Sequence, residues 1–440
     1  MGSVIGASKW FLCHVRPDRD VPHHSFAGCR PEFCIHSIPS FVRTMRDGVL
    51  CGDMGSNCHV TMDARMDLTL TEDQIFIRDE ARRFLASKSD VDAVQRTVSQ
   101  GKGFDADLWA AISADLGWCA MTIPEAQGGV GLGWKEHVLL MEAIGERLAP
   151  VPMWSTTCLA VPLLMAIDTP AARDWLERIA LGGTAATVAI ADMCAIHPFG
   201  GTGVTATAQC DGYILQGVLP LVTDAQMAEV ILVPAQLQQK IAIFALSAAS
   251  GAECRALDTL DRTRQYSRLE LADLRVPANA RLDLDGVNAD ALTDAETIAN
   301  LGLAAEQAGI ARGVMDLTLE YIAERVQFGR TIASFQAIKH RCAALEVDLA
   351  ELRALILGAA VQTDPRELAL EVAGARALAS DLAFRASEEA IQLHGGVGFT
   401  TEYAPHLYFK RAQACWHMLG APERQLDRIA AHCLSGGEAA

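Results

Sequence analysis

Two stretches toward the C-terminal end carry groups able to grip a pyrophosphate and a flat heterocycle. RVQFGRTIASFQAIKHR, from Arg325 to Arg341, offers a guanidinium whose fork of donors suits paired phosphates, and Gln336 adds a side-chain amide. IQLHGGVGFTTEYAPHLYFKRA, from Ile391 to Ala412, offers Gln392 and the Gly395-Gly396 pair. Backbone amides can approach a ligand closely there, because glycine has no Cβ in the way. The glycines of FGGTGVTA, Phe199 to Ala206, lack the spacing and context of a G-x-G-x-x-G turn after a strand, which argues against a Rossmann-type dinucleotide site.

Long helix patterns position these groups. Ile338, Cys342, Leu345, Leu349, Leu352, Ile356 and Ala359 recur in alternating steps of four and three, a heptad seam. A second seam follows Pro365 through Leu368, Val372, Ala375, Ala379, Leu382, Ala386 and Glu389 or Ala390. An earlier helix carries Ile310, Val314, Leu317 and Tyr321, and Ala421 to Cys433 supplies a fourth element, so an antiparallel four-helix bundle is expected.

Upstream the texture differs. Thr71 with Gln74 three residues on predicts a capping box, with Ile75, Ile77, Ala81, Phe84 and Leu85 marking one buried helix face. Further helices are expected around Phe104 to Leu116 and Trp134 to Leu148, with a loop at Pro124 and Gly128-Gly129 between them. Between Gly182 and about Pro277, short Val, Ile, Leu and Thr runs spaced by Gly, Asp and Pro predict a compact β domain. The expected fold class is therefore α+β: an N-terminal helical domain (66–182), a middle β domain (183–285) and a C-terminal helical bundle (286–436). Residues 1–65 show no such periodicity and read as a disordered extension or an upstream-start artefact.

Composition narrows the function. The formal charge of -17 and the absence of clustered Lys and Arg argue against nucleic acid. No run reaches the ~18 apolar residues of a membrane helix, and no apolar segment follows a basic start as in a secretory signal. The eight cysteines from Cys119 onward lie singly in apolar contexts, the pattern of buried free thiols in a reducing compartment, so a cytoplasmic location is expected. Cys13, Cys29, Cys34, Cys51 and Cys58 accompany five histidines near the N-terminus, but without a C-x2-C pair or regular ligand spacing no metal site is expected.

From about Met66 onward the chain resembles the acyl-CoA dehydrogenase family, on the R-x-x-F-G…F-Q spacing at Arg325, Phe328 and Gln336 and on Gln392 to Gly396. The resemblance implies FAD as cofactor, contacted by Arg325, Phe328 and Gln336, with Gln392, Gly395 and Gly396 reaching the adenosine end across a subunit interface. LVTDA, Leu221 to Ala225, resembles the family's flavin-facing strand, which places Thr223 near the flavin ring. It further implies α,β-dehydrogenation of an acyl-CoA thioester, an electron-transfer flavoprotein as electron acceptor, and a homo- or hetero-tetramer.

One residue departs from the family pattern. Counted from Glu402 and Ala412, the position of the usual catalytic Glu falls on Leu419, and the alternative position, 29 residues before Phe328, falls on Ala299. Glu306 is a weak candidate base, two helical turns or ~10 Å beyond Ala299; Glu296 lies one turn the other way. His340, on a bundle helix, His394 and Glu402 read as structural. Alternatives to an independent dehydrogenase are a non-catalytic flavin-holding subunit of a heteromeric complex and a flavin oxygenase of the same fold.

Overall fold

The computed structural model describes residues 68–101, 103–194, 201–287 and 289–435, all within the unit Met66–Ala440. The expectations for residues 1–65, with their cysteines and histidines, lie outside the described residues.

The foreseen capping box is present: the Thr71 hydroxyl accepts from the Gln74 amide while the Gln74 carboxamide accepts from the Thr71 amide. It opens α1 (Glu72–Lys88), followed by α2 (Val91–Ser99), α3 (Ala106–Ala110), α4 (Trp134–Glu146), α5 (Val161–Ile167) and α6 (Pro170–Ala180). The expected buried face of α1 is narrower than its apolar residues: Ala81 and Leu85 are buried, but Ile75 is 39% exposed. α3 and α5 adjoin wide π-helical turns, Ala111–Asp115 and Trp154–Ala160.

The middle of the chain is a seven-stranded sheet in the order β1-β4-β2-β3-β7-β6, with β5 added to β4. Its strands are β1 (Ala186–Val188), β2 (Val204–Gln209), β3 (Gly212–Thr223), β4 (Val230–Leu237), β5 (Lys240–Ser247), β6 (Glu253–Ala256) and β7 (Tyr266–Pro277). Every residue of β4 from Val230 to Ala235 is buried, as expected of a strand covered on both faces. β3 and β7 form the long antiparallel pair, with irregularities between Leu215 and Gly217 and between Leu219 and Val222, and β3 ends in Thr223 opposite Tyr266.

Helices return as α7 (Ala289–Glu324), α8 (Gln336–Ala359), α9 (Pro365–His394), α10 (Pro405–His417) and α11 (Pro422–Ser435). The expected order of helical part, sheet and helical part is the one observed. The two seams pack over most of their length, with Leu345, Leu349, Leu352, Ile356 and Ala359 of α8 and Val372, Ala375, Ala379, Leu382, Ala386 and Ala390 of α9 buried, while their first members Ile338, Cys342 and Leu368 are half-buried. The four expected helices are joined by a fifth, α10, whose buried face of Leu407, Tyr408, Arg411, Ala412 and Cys415 contains a charge and does not read as an apolar stripe.

α4 and α7 cross almost backbone to backbone. A Cβ built on Gly145 would lie 1.9 Å from the Glu306 carbonyl oxygen, and one on Gly309 would lie 1.9 Å from that of Glu142. Only glycine permits this approach, and it fixes where along α7 the Glu306 side chain emerges.

Beside that crossing, His137 of α4 is buried, with its Nε2 2.9 Å from the Thr157 hydroxyl. Burial pulls its imidazole down to about 4. An unfolded imidazole titrates near ~6.5, so below that pH the unfolded chain takes up a proton that the native chain refuses. Stability is thus expected to fall by roughly 2–3 kcal/mol between pH 7 and 4.5 through this group. Urea unfolding at the two pH values should show that slope in the wild type and a flatter one in His137→Gln.

The cysteines correct one expectation. Among the described residues all are free, but only Cys119, Cys158 and Cys415 are buried, while Cys194, Cys210 and Cys433 are exposed. Apolar neighbours in sequence do not bury a thiol at a turn or in an end helix.

Candidate active site

The helix ends gather most of the predicted binding groups. Arg325 follows directly on α7, its amide bonded to the Tyr321 carbonyl at 2.9 Å. Next comes a tight hairpin of β8 (Val326–Gln327) and β9 (Arg330–Thr331). Its two turn residues, Phe328 and Gly329, have φ of 54° and 79°. Positive φ at both positions suits the twist of a two-residue hairpin, but for a phenylalanine the left-handed conformation costs roughly 1–2 kcal/mol. The residue held there is 92% exposed. Its ring meets that of Phe335 edge to face, centroids 6.4 Å apart, and the Arg330 guanidinium stacks over Phe335 at 3.9 Å. Gln336 then opens α8, its side-chain Nε2 3.2 Å from His340 Nε2, so His340 points along the exposed helix surface.

The end of α9 lies beside this corner. His394 stacks on Tyr321 with ring centroids 4.2 Å apart and receives the edge of Tyr403. Its Nδ1 is 2.8 Å from the Ala390 carbonyl, and burial, partly opposed by that bond, holds the imidazole below its usual range. The ring is therefore packing material at the end of the bundle. An ion pair between Arg341 and Glu389 ties α8 to α9 nearby. Gly395 ends the helix with φ of 65°, and a Cβ added at Gly395 or Gly396 would meet nothing within 4 Å. Arg325, Phe328, Gln336, Gln392, Gly395 and Gly396 thus belong to one end of the helical part.

Thr223 does not. It is fully buried at the end of β3, its hydroxyl without a hydrogen-bond partner and its carbonyl accepting from Thr187 at 2.8 Å. Asp224 turns the chain with φ of 54° and accepts from Ser155 at 2.7 Å. The neighbouring Trp154 donates to the Ala299 carbonyl at 2.9 Å, which ties this region to the first third of α7. Arg325 lies roughly 39 Å further along that helix at ~1.5 Å per residue.

The two positions at which the family resemblance would put a base are aliphatic and sealed. Ala299 and Leu419 are both 0% exposed. Leu419 sits between α10 and α11 at φ of 55° in a corner bonded on several sides: its amide donates to the Met193 carbonyl at 2.7 Å, and Gln425 donates to its carbonyl at 2.8 Å. Arg376 of α9 donates to the Cys415 and Met418 carbonyls at 2.7 and 2.8 Å. Burial, partly countered by Cys415 and Glu306, brings that guanidinium down to about 10.

Glu306 has a different setting from that of a free base. It is fully buried, and its two oxygens accept from Arg264 at 2.5 Å and Arg411 at 2.6 Å, while Arg411 also pairs with Asp261 at 2.9 Å. Burial alone would push the Glu306 carboxyl up, but the two guanidiniums outweigh it and hold the group below its ordinary value. Glu296, nearly as buried, has Arg428 as partner, and there burial wins and raises the carboxyl. The arginines at 264, 376 and 411 escaped sequence reasoning. For Arg376 and Arg411 the available signal was their placement at helix positions otherwise filled by Ala, Leu and Cys; Arg264, in the loop before β7, had none.

The residues present fit a flavin nucleotide clasped from two sides. An unpartnered buried hydroxyl waits at Thr223, open space flanks the Gly395-Gly396 backbone, and an aromatic ring at Phe328 is held out uncovered. Among the described residues no group of three or more His, Cys, Asp and Glu side chains could hold a metal, and no helix is long and apolar enough to cross a membrane.

Comparison with known proteins agrees with this architecture. Residues 71–183 match the description "Acyl-CoA dehydrogenase, N-terminal domain" and residues 297–434 match "Acyl-CoA dehydrogenase, C-terminal domain". The acyl-CoA dehydrogenase IpdE2 of Mycobacterium tuberculosis is 30% identical over 362 residues, covering 82% of this chain and 98% of its own. Acryloyl-CoA reductase (NADH) of Anaerotignum propionicum is 27% identical, covering 79% of this chain and 91% of its own. Of solved structures, the ChsE4-ChsE5 complex from Mycobacterium tuberculosis superposes with a TM-score of 0.75 at 29% identity, over 84% of this chain and 99% of the matched one. With both helical parts matched and the order of helices, sheet and helices shared along nearly the whole length of these relatives, the chain belongs to the acyl-CoA dehydrogenase family.

Proposed function

We propose that this chain holds FAD between neighbouring protomers and dehydrogenates an acyl-CoA thioester between Cα and Cβ. The observation that carries the reading is the separation of Thr223 from the Arg325 corner, each presenting unsatisfied or uncovered groups. A cofactor needing both is served when the corner of one protomer meets the region at the end of β3 in the next, which a homo- or hetero-tetramer supplies. Bound FAD would accept the hydride from Cβ. Arg325 would pair with the pyrophosphate, Gln336 and Gln392 would hydrogen-bond along the cofactor, Phe328 would be covered on assembly, and the Thr223 hydroxyl would gain a partner at the ring.

The α-proton is the step that Leu419 and Ala299 do not take. Glu306 would have to leave two guanidiniums to act as base, so its clasp favours a carboxylate from a second, paralogous chain; the relative solved as a two-component complex supports that assembly. The family's usual acceptor, an electron-transfer flavoprotein, would take the electrons onward, and a cytoplasmic site of action is consistent with the absence, among the described residues, of a membrane-crossing helix.

The test is cofactor affinity. FAD titration of the purified protein should show saturable binding, and Arg325→Ala should weaken it about 10–100-fold, the worth of one charge-assisted hydrogen-bond set. A protein that binds no FAD, alone or co-expressed with a paralogue, sinks the reading.

A further inference from the structure

A cleft of about 950 Å3 opens between α2, the loop from Asp258 to Arg262 and the first turns of α10. None of the cofactor or base candidates lines it. Its volume lies in the range of ~300–1,000 Å3 that accommodates a small ligand.

The charges along its walls are unevenly satisfied. Asp258 is paired with Arg262 at 2.6 Å, and Asp261 is paired with Arg411 at 2.9 Å, so two of the acids are already neutralised from within the fold. Arg96 of α2 and Lys410 of α10 line the cleft from different elements, and among the described residues neither cationic head has an ion pair or hydrogen bond. Asp92, one turn before Arg96, is the opposing charge that remains. His406 lines the wall beside Lys410 with both ring nitrogens shielded and without hydrogen-bond partners. Burial, with help from Lys410, holds its imidazole below the usual range, so at neutral pH it offers one donor and one acceptor. Leu260, 61% exposed, gives the loop an uncovered apolar face.

In a chain of net charge -17, two cations lining one cleft are not accounted for by any ion pair among the described residues. Nor does an unsatisfied imidazole stabilise the fold, since a shielded polar group without a partner costs free energy. We propose that the cleft is a binding site for a phosphate-bearing ligand of nucleotide size, its phosphates held by Arg96 and Lys410 and its base lying against Leu260. The imidazole of His406 gains its missing partner from the same ligand. The site is separate from the one proposed for FAD.

Isothermal titration of the full-length protein with ADP and with inorganic pyrophosphate, each with and without saturating FAD or acyl-CoA, tests this. ADP is expected to bind in all conditions, and Arg96→Ala and Lys410→Ala should each weaken it about tenfold or more. Leu260→Ser should weaken ADP and leave pyrophosphate unchanged, which identifies the base as part of the recognised group. Arg83→Ala, a surface cation of α1 paired with Glu80 and outside the cleft, should change affinity less than about twofold. The inference is overturned if neither probe binds at millimolar concentration, if the cation variants bind like wild type, or if saturating FAD or saturating acyl-CoA abolishes ADP binding, since the cleft would then belong to the cofactor or to the substrate. Binding of pyrophosphate with equal affinity to ADP would overturn the nucleotide assignment. The runs without FAD keep these outcomes separate from a failure of the flavin reading.

Discussion

Glu306→Gln is expected to lower the unfolding free energy by about 3–5 kcal/mol, because it leaves two buried guanidiniums without their shared counter-charge. Arg264 and Arg411 both end on this one carboxylate, and neither is more than slightly exposed. Urea unfolding monitored by tryptophan fluorescence would give the loss directly. Replacing Glu306 and Arg264 together by Leu and Met, with Arg411 kept on Asp261, should cost less than the single change, since no buried charge is then left without a partner. The carboxyl is held below its unfolded value, so its contribution to stability is present above pH ~4.5 and is lost as pH falls through the lower native value. Unchanged stability in Glu306→Gln accompanied by lost turnover would contradict this and identify Glu306 as a base.

Leu419→Glu is expected to raise turnover of the isolated chain about 10²-fold or more, the range for a positioned general base. The corner that holds residue 419 is intact: Met193 and Gln425 fix its backbone, and Arg376 fixes the two carbonyls before it. Arg376 bonds to carbonyl, amide and hydroxyl oxygens, so a carboxylate introduced next to Met418 would find a cation within reach. That nearby charge should offset part of the several kcal/mol that burying an unpaired carboxylate costs. Rates of enoyl-CoA formation by wild type and variant, each loaded with FAD, check the prediction; a variant that folds and binds FAD yet gains no rate would show that residue 419 does not face the substrate.

Elements stabilised by local rules were legible before the structure. The Thr71 cap is a spacing of three residues, the α8 and α9 seams are a period, and β4 is an unbroken apolar run; each is a property of neighbours in sequence. The charge cluster was not legible. Its members come from β7's approach, α7, α9 and α10, and a lone arginine such as Arg376 in an alanine-rich seam reads as a surface residue until its partners Gln307 and Ser380 are placed beside it. α10 was hidden for the same reason, since Arg411 interrupts its stripe. The candidate site was half legible: motif spacing gathered Arg325, Phe328 and Gln336, and the Tyr321 to His394 stack brings Gln392 to them. The remoteness of Thr223 follows from the length of α7, 36 residues, which sequence reading had treated only as the first bundle helix.

The crossing of α4 and α7 has a consequence for access. With main chain lying on main chain at Gly145 and Gly309, these two helices have no slack in which to slide or part. Room for an incoming thioester must then come from the sheet side or from the corner around Leu419. Flexibility there would set the pace of entry and release, while the glycine-locked axis behaves as the stationary frame against which those parts move.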